Sequence, residues 1–154
     1  ADMVANSFKV THNLPVIIVR PTNNFGPNQH PEKLIPKFIS RAKEGKRLPV
    51  YGDGTNVRDW LYVKDNCRAI DLLLREGETG EISNVGANQF KQNIEVTRKI
   101  LELVGADEDL IEFVEDRKGH DQRYAVDSSK IRELGWEPKV SFEDGLKKIL
   151  RNKS

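Results

Sequence analysis

Sulfur is nearly missing from this chain. Cys67 is the one cysteine in 154 residues, so no internal disulfide and no C-x-x-C motif can form. That usage fits a reducing compartment, and the cytoplasm is the expected location. Charge of one sign is missing too: 25 Lys and Arg stand against 24 Asp and Glu, a net +1. Such balance excludes a broad electrostatic footprint for nucleic acid or membrane and leaves room for a local basic pocket. No apolar run approaches the roughly 18 residues of a spanning helix, and no signal-peptide layout is present. Several catalytic signatures are absent as well. There is no G-x-G-x-x-G, hence no pyrophosphate-binding turn of a dinucleotide fold, and no G-x-S-x-G, H-E-x-x-H or paired cysteines. The residues alone describe a binding chain without an identifiable engine.

A further lack concerns the start. "ADMVANSFKVTHN" reads as the later turns of a helix, with Val4 and Phe8 four apart and Asn13 placed for a left-handed stop. No Ser, Thr or Asn cap precedes it. The expectation is a chain that begins inside a helix and is part of something longer; a trimmed start on a complete small protein is the alternative.

The length suits one domain with a real core. "LPVIIVRP" (14–21) is a continuous β-branched run, the pattern of a strand buried on both faces of a parallel sheet. "TNNFGPNQHP" reads as a loop. Leu34, Phe38 and Ala42 recur at helical spacing up to Gly45, with Pro36 tolerable near the first turn. "LPVY" and "VRDWLYV" read as two strands of a hairpin turned by Gly52-Asp53-Gly54, with Arg58, Trp60 and Tyr62 on one face. Asp65 is placed to cap a helix that Gly77 closes, and Asn93 to cap another that ends before Gly105. "EISNVG" (81–86) and "IEFVED" are strands, "RYAVD" an extended segment, "SSKIRELGW" a short helix, and Ser141 with Asp144 opens a last helix. Only 16–20 and 82–85 look like members of a parallel sheet, and two strands do not make a stable sheet.

In open α/β sheets ligands bind beyond the carboxyl ends of the strands, where "RPTNNFGPNQHPEK" and "GANQFKQN" fall. Asn23 and Asn24 either meet a sugar or carboxamide there or simply close a turn. Arg58 either holds a phosphate through its planar fork or stacks on Trp60. "DRKGHDQRY" (116–124) gathers Arg117, Lys118, His120, Arg123 and Tyr124, which either neutralise a diphosphate or stay solvated. His120 is an acid or base, or it orders the loop.

"RPTNNFGP", "PEKLIPKFI", "LPVYGDGTNVRDWLYVKDNCRAID", "NVG" and "DRKGHDQRYAVDSSKIRELGW" together resemble the C-terminal half of the dTDP-glucose 4,6-dehydratase family. That family lies within the extended short-chain dehydrogenase/reductase group. The first and third motifs mark the wider sugar-nucleotide group; "PEKLIP" with "GHDQRY" points to the dehydratases. The resemblance implies the C-terminal part of an extended Rossmann-type (doubly wound) α/β fold plus the small α/β nucleotide-sugar-binding domain. Residues 1–22 and about 64–86 are then return segments of the Rossmann domain. The NAD loop, the Tyr-x-x-x-Lys pair and the acidic dehydration residues fall upstream of Ala1, so no catalytic residue is expected within the chain. It further implies substrate contacts at Asn23, Lys33, Leu34, Pro49, Val50, Tyr51, Arg58, Asn93, His120, Asp121, Arg123 and Tyr124. Pro21 and Asn24 match the edge of the NAD site. Phe25 stands where Tyr is usual, and "ANQFKQN" is a looser match. The implied whole is a homodimeric, NAD-dependent enzyme converting dTDP-glucose to its 4-keto-6-deoxy sugar and water, as in rhamnose biosynthesis. Alternatives are a nucleotide-sugar 4-epimerase or decarboxylase, or a non-catalytic nucleotide-sugar-binding module.

Overall fold

The computed structural model describes residues 1–151. In chain order the first elements are α1 (Asp2–His12), β1 (Ile18–Pro21), β2 (Asn23–Phe25), α2 (Leu34–Lys43), β3 (Leu48–Tyr51) and β4 (Val57–Tyr62). After them come α3 (Val63–Glu76), β5 (Ile82–Val85), β6 (Phe90–Gln92), α4 (Asn93–Val104) and β7 (Ile111–Val114). The short β8 (Arg123–Tyr124), α5 (Ser129–Glu133) and α6 (Phe142–Arg151) complete the described chain. It is a mixed α/β architecture in which the main pairings are parallel.

The two expected parallel strands do pair: β1 runs along β5 in register from Ile18 opposite Ile82 to Pro21 opposite Val85. Asn13 ends α1 in the left-handed region, φ 53°, as its amide side chain favours. Burial of β1 on both faces is not what forms. Its residues are half-buried or exposed, because only Val19 of this strand packs against an apolar core among the described residues.

The hairpin is also corrected. β3 and β4 do not pair with each other: β3 pairs parallel with β7, and β4 pairs parallel with β2 and antiparallel with β6. The intervening turn spends its carbonyls elsewhere. Gly54 O accepts from Ile94 N and Asn56 O from Asn93 N, so the turn feeds the start of α4 instead of continuing a ladder. β2 itself lies inside the segment read as loop.

Two helix caps also differ. Asp65 lies inside the first turn of α3, with Tyr62 at the cap position, and its carboxylate accepts from the backbone N–H of Lys139 and Val140. Asn93 is the first residue of α4, capped by Gln92 in a reciprocal box with Glu95. The Ser141–Asp144 cap forms as expected, with Asp144 N donating to Ser141 Oγ at 3.1 Å.

β4 divides two apolar cores. Trp60 and Tyr62 point into the first, with Phe25, Ile35, Phe38, Ile39, Val50, Ile100 and Phe142. Leu61 points into the second, with Leu73, Val85, Ile131 and Trp136. This is period-two alternation in a strand buried on both sides. Each fully buried side chain of this size contributes about 1.5–3 kcal/mol. In the first core Phe25 meets Trp60 edge-on at 6.1 Å and Phe142 at 5.2 Å. Gly145 lets α6 approach that far, since a Cβ there would lie 2.5 Å from the Phe25 ring.

Candidate binding cleft

The amino end of β2, the start of α2, the end of β3 and the start of α4 converge on an open cleft of about 420 Å³. β2 contributes Asn23; the segment entering α2 contributes Glu32, Lys33 and Leu34, with Lys37 and Phe38 one turn on. Pro49, Val50 and Tyr51 form one wall, and Arg58 with Trp60 comes from β4. Asn93 and Thr97 supply the α4 side, and Arg117 with His120 the mouth. Lys33, Lys37, Arg58 and Arg117 therefore face the single carboxylate of Glu32, which pairs with Lys37 at 3.7 Å. A concave surface with that surplus favours an anion, and a planar apolar wall beside it favours a ring.

Arg58 is held rather than free. Its Nη1 donates to Val57 O at 2.7 Å and its Nη2 to Asp121 O at 2.8 Å, leaving the rest of the guanidinium fork for a ligand. Among the described residues it stacks on no ring; the guanidinium over the Tyr51 ring, 4.9 Å from its centroid, belongs to Arg117. Buried Asn56 donates from Nδ2 to the same Asp121 carbonyl, 3.3 Å. The loop after β7 is thus tied to the base of β4. Within it His120 Nδ1 lies 2.7 Å from Asp116 Oδ1. The hydrogen bond from His120 holds the Asp116 carboxyl below the usual carboxylate range, with the Arg117 backbone N–H adding to it.

Of the residues singled out from sequence, Asn23, Lys33, Leu34, Pro49, Val50, Tyr51, Arg58, Asn93 and His120 meet in this cleft. Asp121 takes part through its backbone carbonyl. Arg123 lies instead over the Phe90 ring at 4.8 Å, and Tyr124 is exposed on β8. Pro21, the last residue of β1, and Asn24, in β2, lie outside the cleft where β1 leads into β2. There Asn24 Nδ2 donates to Thr22 O and Gln29 Nε2 to Asn24 O. Thr22 Oγ1, Asn24 Oδ1 and Gln29 Oε1 are buried without a partner among the described residues. Glu32, Lys37, Phe38, Trp60 and Thr97 also line the cleft and were not among the expected contacts. Trp60 shares the face of Arg58, as its strand spacing predicts, and periodicity adds two more: Lys37 is one turn from Lys33 and Thr97 one turn from Asn93.

The fold and cleft together define a class: an α/β chain with parallel strand pairs and a cationic cleft lined from β2, β3, β4 and the helices that follow β2 and β6. Comparison with known proteins makes this specific. The family model described as GDP-mannose 4,6 dehydratase matches residues 1–149, and the chain belongs to that family. It is 63% identical over 146 residues to the low-salt glycan biosynthesis protein Agl12 of Haloferax volcanii, covering 95% of this chain and 47% of the relative. It is 48% identical over 147 residues to a dTDP-glucose 4,6-dehydratase of an Actinoplanes species, covering 95% and 46%. The crystal structure of dTDP-glucose 4,6-dehydratase from Bacillus anthracis in complex with NAD superposes with a TM-score of 0.90 at 50% identity, over 97% of this chain and 48% of that one. The chain spans about half the length of the curated relatives it matches.

Proposed function

We propose that this chain is the nucleotide-sugar-binding part of an NAD-dependent dTDP-glucose 4,6-dehydratase. In the natural-length protein the reaction yields dTDP-4-keto-6-deoxyglucose and water. The observation that carries the reading is the cleft: four cationic side chains around one carboxylate, beside the Pro49–Tyr51 wall. Arg58, Lys33 and Arg117 hold the diphosphate by charge-assisted hydrogen bonds. Pro49, Val50 and Tyr51 lie along the base, Leu34 beside it, and Asn23 and Asn93 bond the sugar through amides that both donate and accept. Asp121 acts by tying Arg58 through its carbonyl, while Arg123 and Tyr124, on β8, follow directly on the segment that closes over the nucleotide.

The unpartnered buried oxygens of Thr22, Asn24 and Gln29 suit a group that brings its own N–H and O–H donors, so this edge fits NAD, with Pro21 and Asn24 against it. When bound, NAD supplies hydride acceptance at C4 and return at C6, while water is lost across C5 and C6. This chain's residues grip the substrate remote from those carbons, which orients it for groups held elsewhere. Segments 1–22 and about 64–86 complete the cofactor domain, and the residues that move protons correspond to the part of the relatives' length that this chain does not span. The chain by itself is then without turnover. The expected setting is the cytoplasm, as a homodimer to which the exposed apolar side chains of α1 contribute.

Titration calorimetry with thymidine diphosphate tests the binding role, and product analysis of the natural-length protein with dTDP-glucose tests the reaction. Arg58→Ala is expected to weaken diphosphate binding by roughly ten- to a hundredfold, the loss of a charge-assisted contact. Unchanged affinity in Arg58→Ala, or dehydration catalysed by residues 1–154 alone, would refute the assignment.

A further inference from the structure

The chemistry of three side chains at the cleft mouth admits one hydrogen arrangement. Asp116 as a carboxylate only accepts and Arg117 only donates. His120 sits between them, its Nδ1 2.7 Å from Asp116 Oδ1 and its Nε2 2.9 Å from Arg117 Nη2. The imidazole therefore carries its proton on Nδ1 and accepts on Nε2. Arg117, so held, lies over the Tyr51 ring, which His120 meets edge-on at 6.4 Å. The His120 side chain is only 7% exposed, so water does not readily replace either partner. Asp116 is itself fixed, accepting from the Arg117 backbone N–H at 2.8 Å and lying against Gly52, where a Cβ would come within 3.2 Å of its carboxylate.

We propose that Asp116 is a positioning residue of the cleft: it holds His120 as the Nδ1-protonated form, whose Nε2 keeps the Arg117 guanidinium over Tyr51 at the mouth. The inference rests on the reading of the cleft as a nucleotide-sugar site and adds a residue that touches no ligand itself. A free arginine must be ordered when its ligand arrives; one already held costs the complex less. His120 is on this account neither acid nor base. It is a spacer whose tautomer decides whether an acceptor or a donor faces Arg117.

The tautomer can be read directly. Long-range proton–nitrogen NMR on the ¹⁵N-labelled chain separates the two neutral imidazole forms, and the His120 signal is the one lost in His120→Gln. The expected result is Nδ1–H in the wild type and a shift toward Nε2–H in Asp116→Asn, whose amide can donate to Nδ1. Thymidine diphosphate affinity falls about tenfold in Asp116→Asn and in Asp116→Ala, the lower end of what a carboxylate behind a histidine is worth at metal sites. The tautomer measurement needs no variant at position 116, so a poorly folding substitution cannot shield the idea. Nε2–H in the wild type overturns it. So does wild-type binding of thymidine diphosphate that Asp116→Asn retains in full, an outcome that leaves the nucleotide-sugar reading standing. A wild type that binds no nucleotide overturns that reading and this inference with it.

Discussion

β4 and α1 are opposite cases of how a segment is held. The last four residues of β4 are buried, shared between two cores, and its backbone pairs with β2, β6 and β8. None of α1 is buried: Met3 is 87% and Val10 77% exposed, and its one described ion pair joins Asp2 to Arg20 at the surface. Both are well formed, yet for different reasons. β4 owes its geometry to long-range packing. α1 owes its shape to local signals, the acidic first turn at Asp2 and the stop at Asn13, and eleven residues of local signal are marginal in water. The cleft belongs with β4: Arg58 and Trp60 inherit their positions from a strand that cannot shift without opening a core.

The largest loss of stability is expected at Asp65. Its carboxylate accepts from Lys139 N at 3.2 Å and Val140 N at 3.0 Å, pairs with Arg68, and its own carbonyl accepts from the Trp136 indole at 3.1 Å. This one buried residue ties the segment leading into α6 to the helix that follows β4. Asp65→Ala leaves two part-buried N–H groups and the half-exposed Arg68 without their partner and is expected to cost about 2–4 kcal/mol in denaturant unfolding. A loss below about 1 kcal/mol would mean the C-terminal segment is held by packing alone.

A smaller effect is expected at Gly145. Its φ is ordinary, so the residue is glycine for space: a Cβ would stand 2.5 Å from one Phe25 ring atom and 2.6 Å from another. Phe25 is boxed by Trp60, Tyr62 and Phe142 and has no room to retreat. Gly145→Ala gains helix propensity and loses more to overpacking, a net cost of about 1–2 kcal/mol by thermal or chemical unfolding. A stabilised variant would show that α6 slides outward freely.

What could be read from the sequence follows the same division. The β1–β5 pair and α1 were legible because β-branched runs and left-handed asparagines are local signals. β2 was not: Asn23, Asn24 and Phe25 sit among Asn, Gly and Pro, and only pairing with Trp60 to Tyr62 makes them a strand. The Gly52–Gly54 turn was legible as a turn but not for its destination, since Ile94 and Asn93 capture its carbonyls from about forty residues away along the chain. For the cleft, motifs identified Arg58, Asn23 and Tyr51, which line it together. They also suggested Arg123, whose guanidinium the Phe90 ring on neighbouring β6 draws aside. Residue type and spacing carry the chemistry of a contact; whether its side chain faces inward depends on neighbours that spacing does not reveal.

The smallest effect should come from α1. Val10 is exposed, and serine differs little from valine in helix propensity, so Val10→Ser removes apolar surface that nothing described covers. Its unfolding free energy should stay within about 0.5 kcal/mol of the wild type at low protein concentration. Concentration makes the test sharper. If α1 pairs between copies, burial of Val10 in that pairing makes the wild type more stable as concentration rises and leaves the variant unchanged, so the gap between them widens by mass action. A gap already above 1 kcal/mol in dilute solution would place Val10 in a packed environment within one chain, and the contrast with β4 would fall.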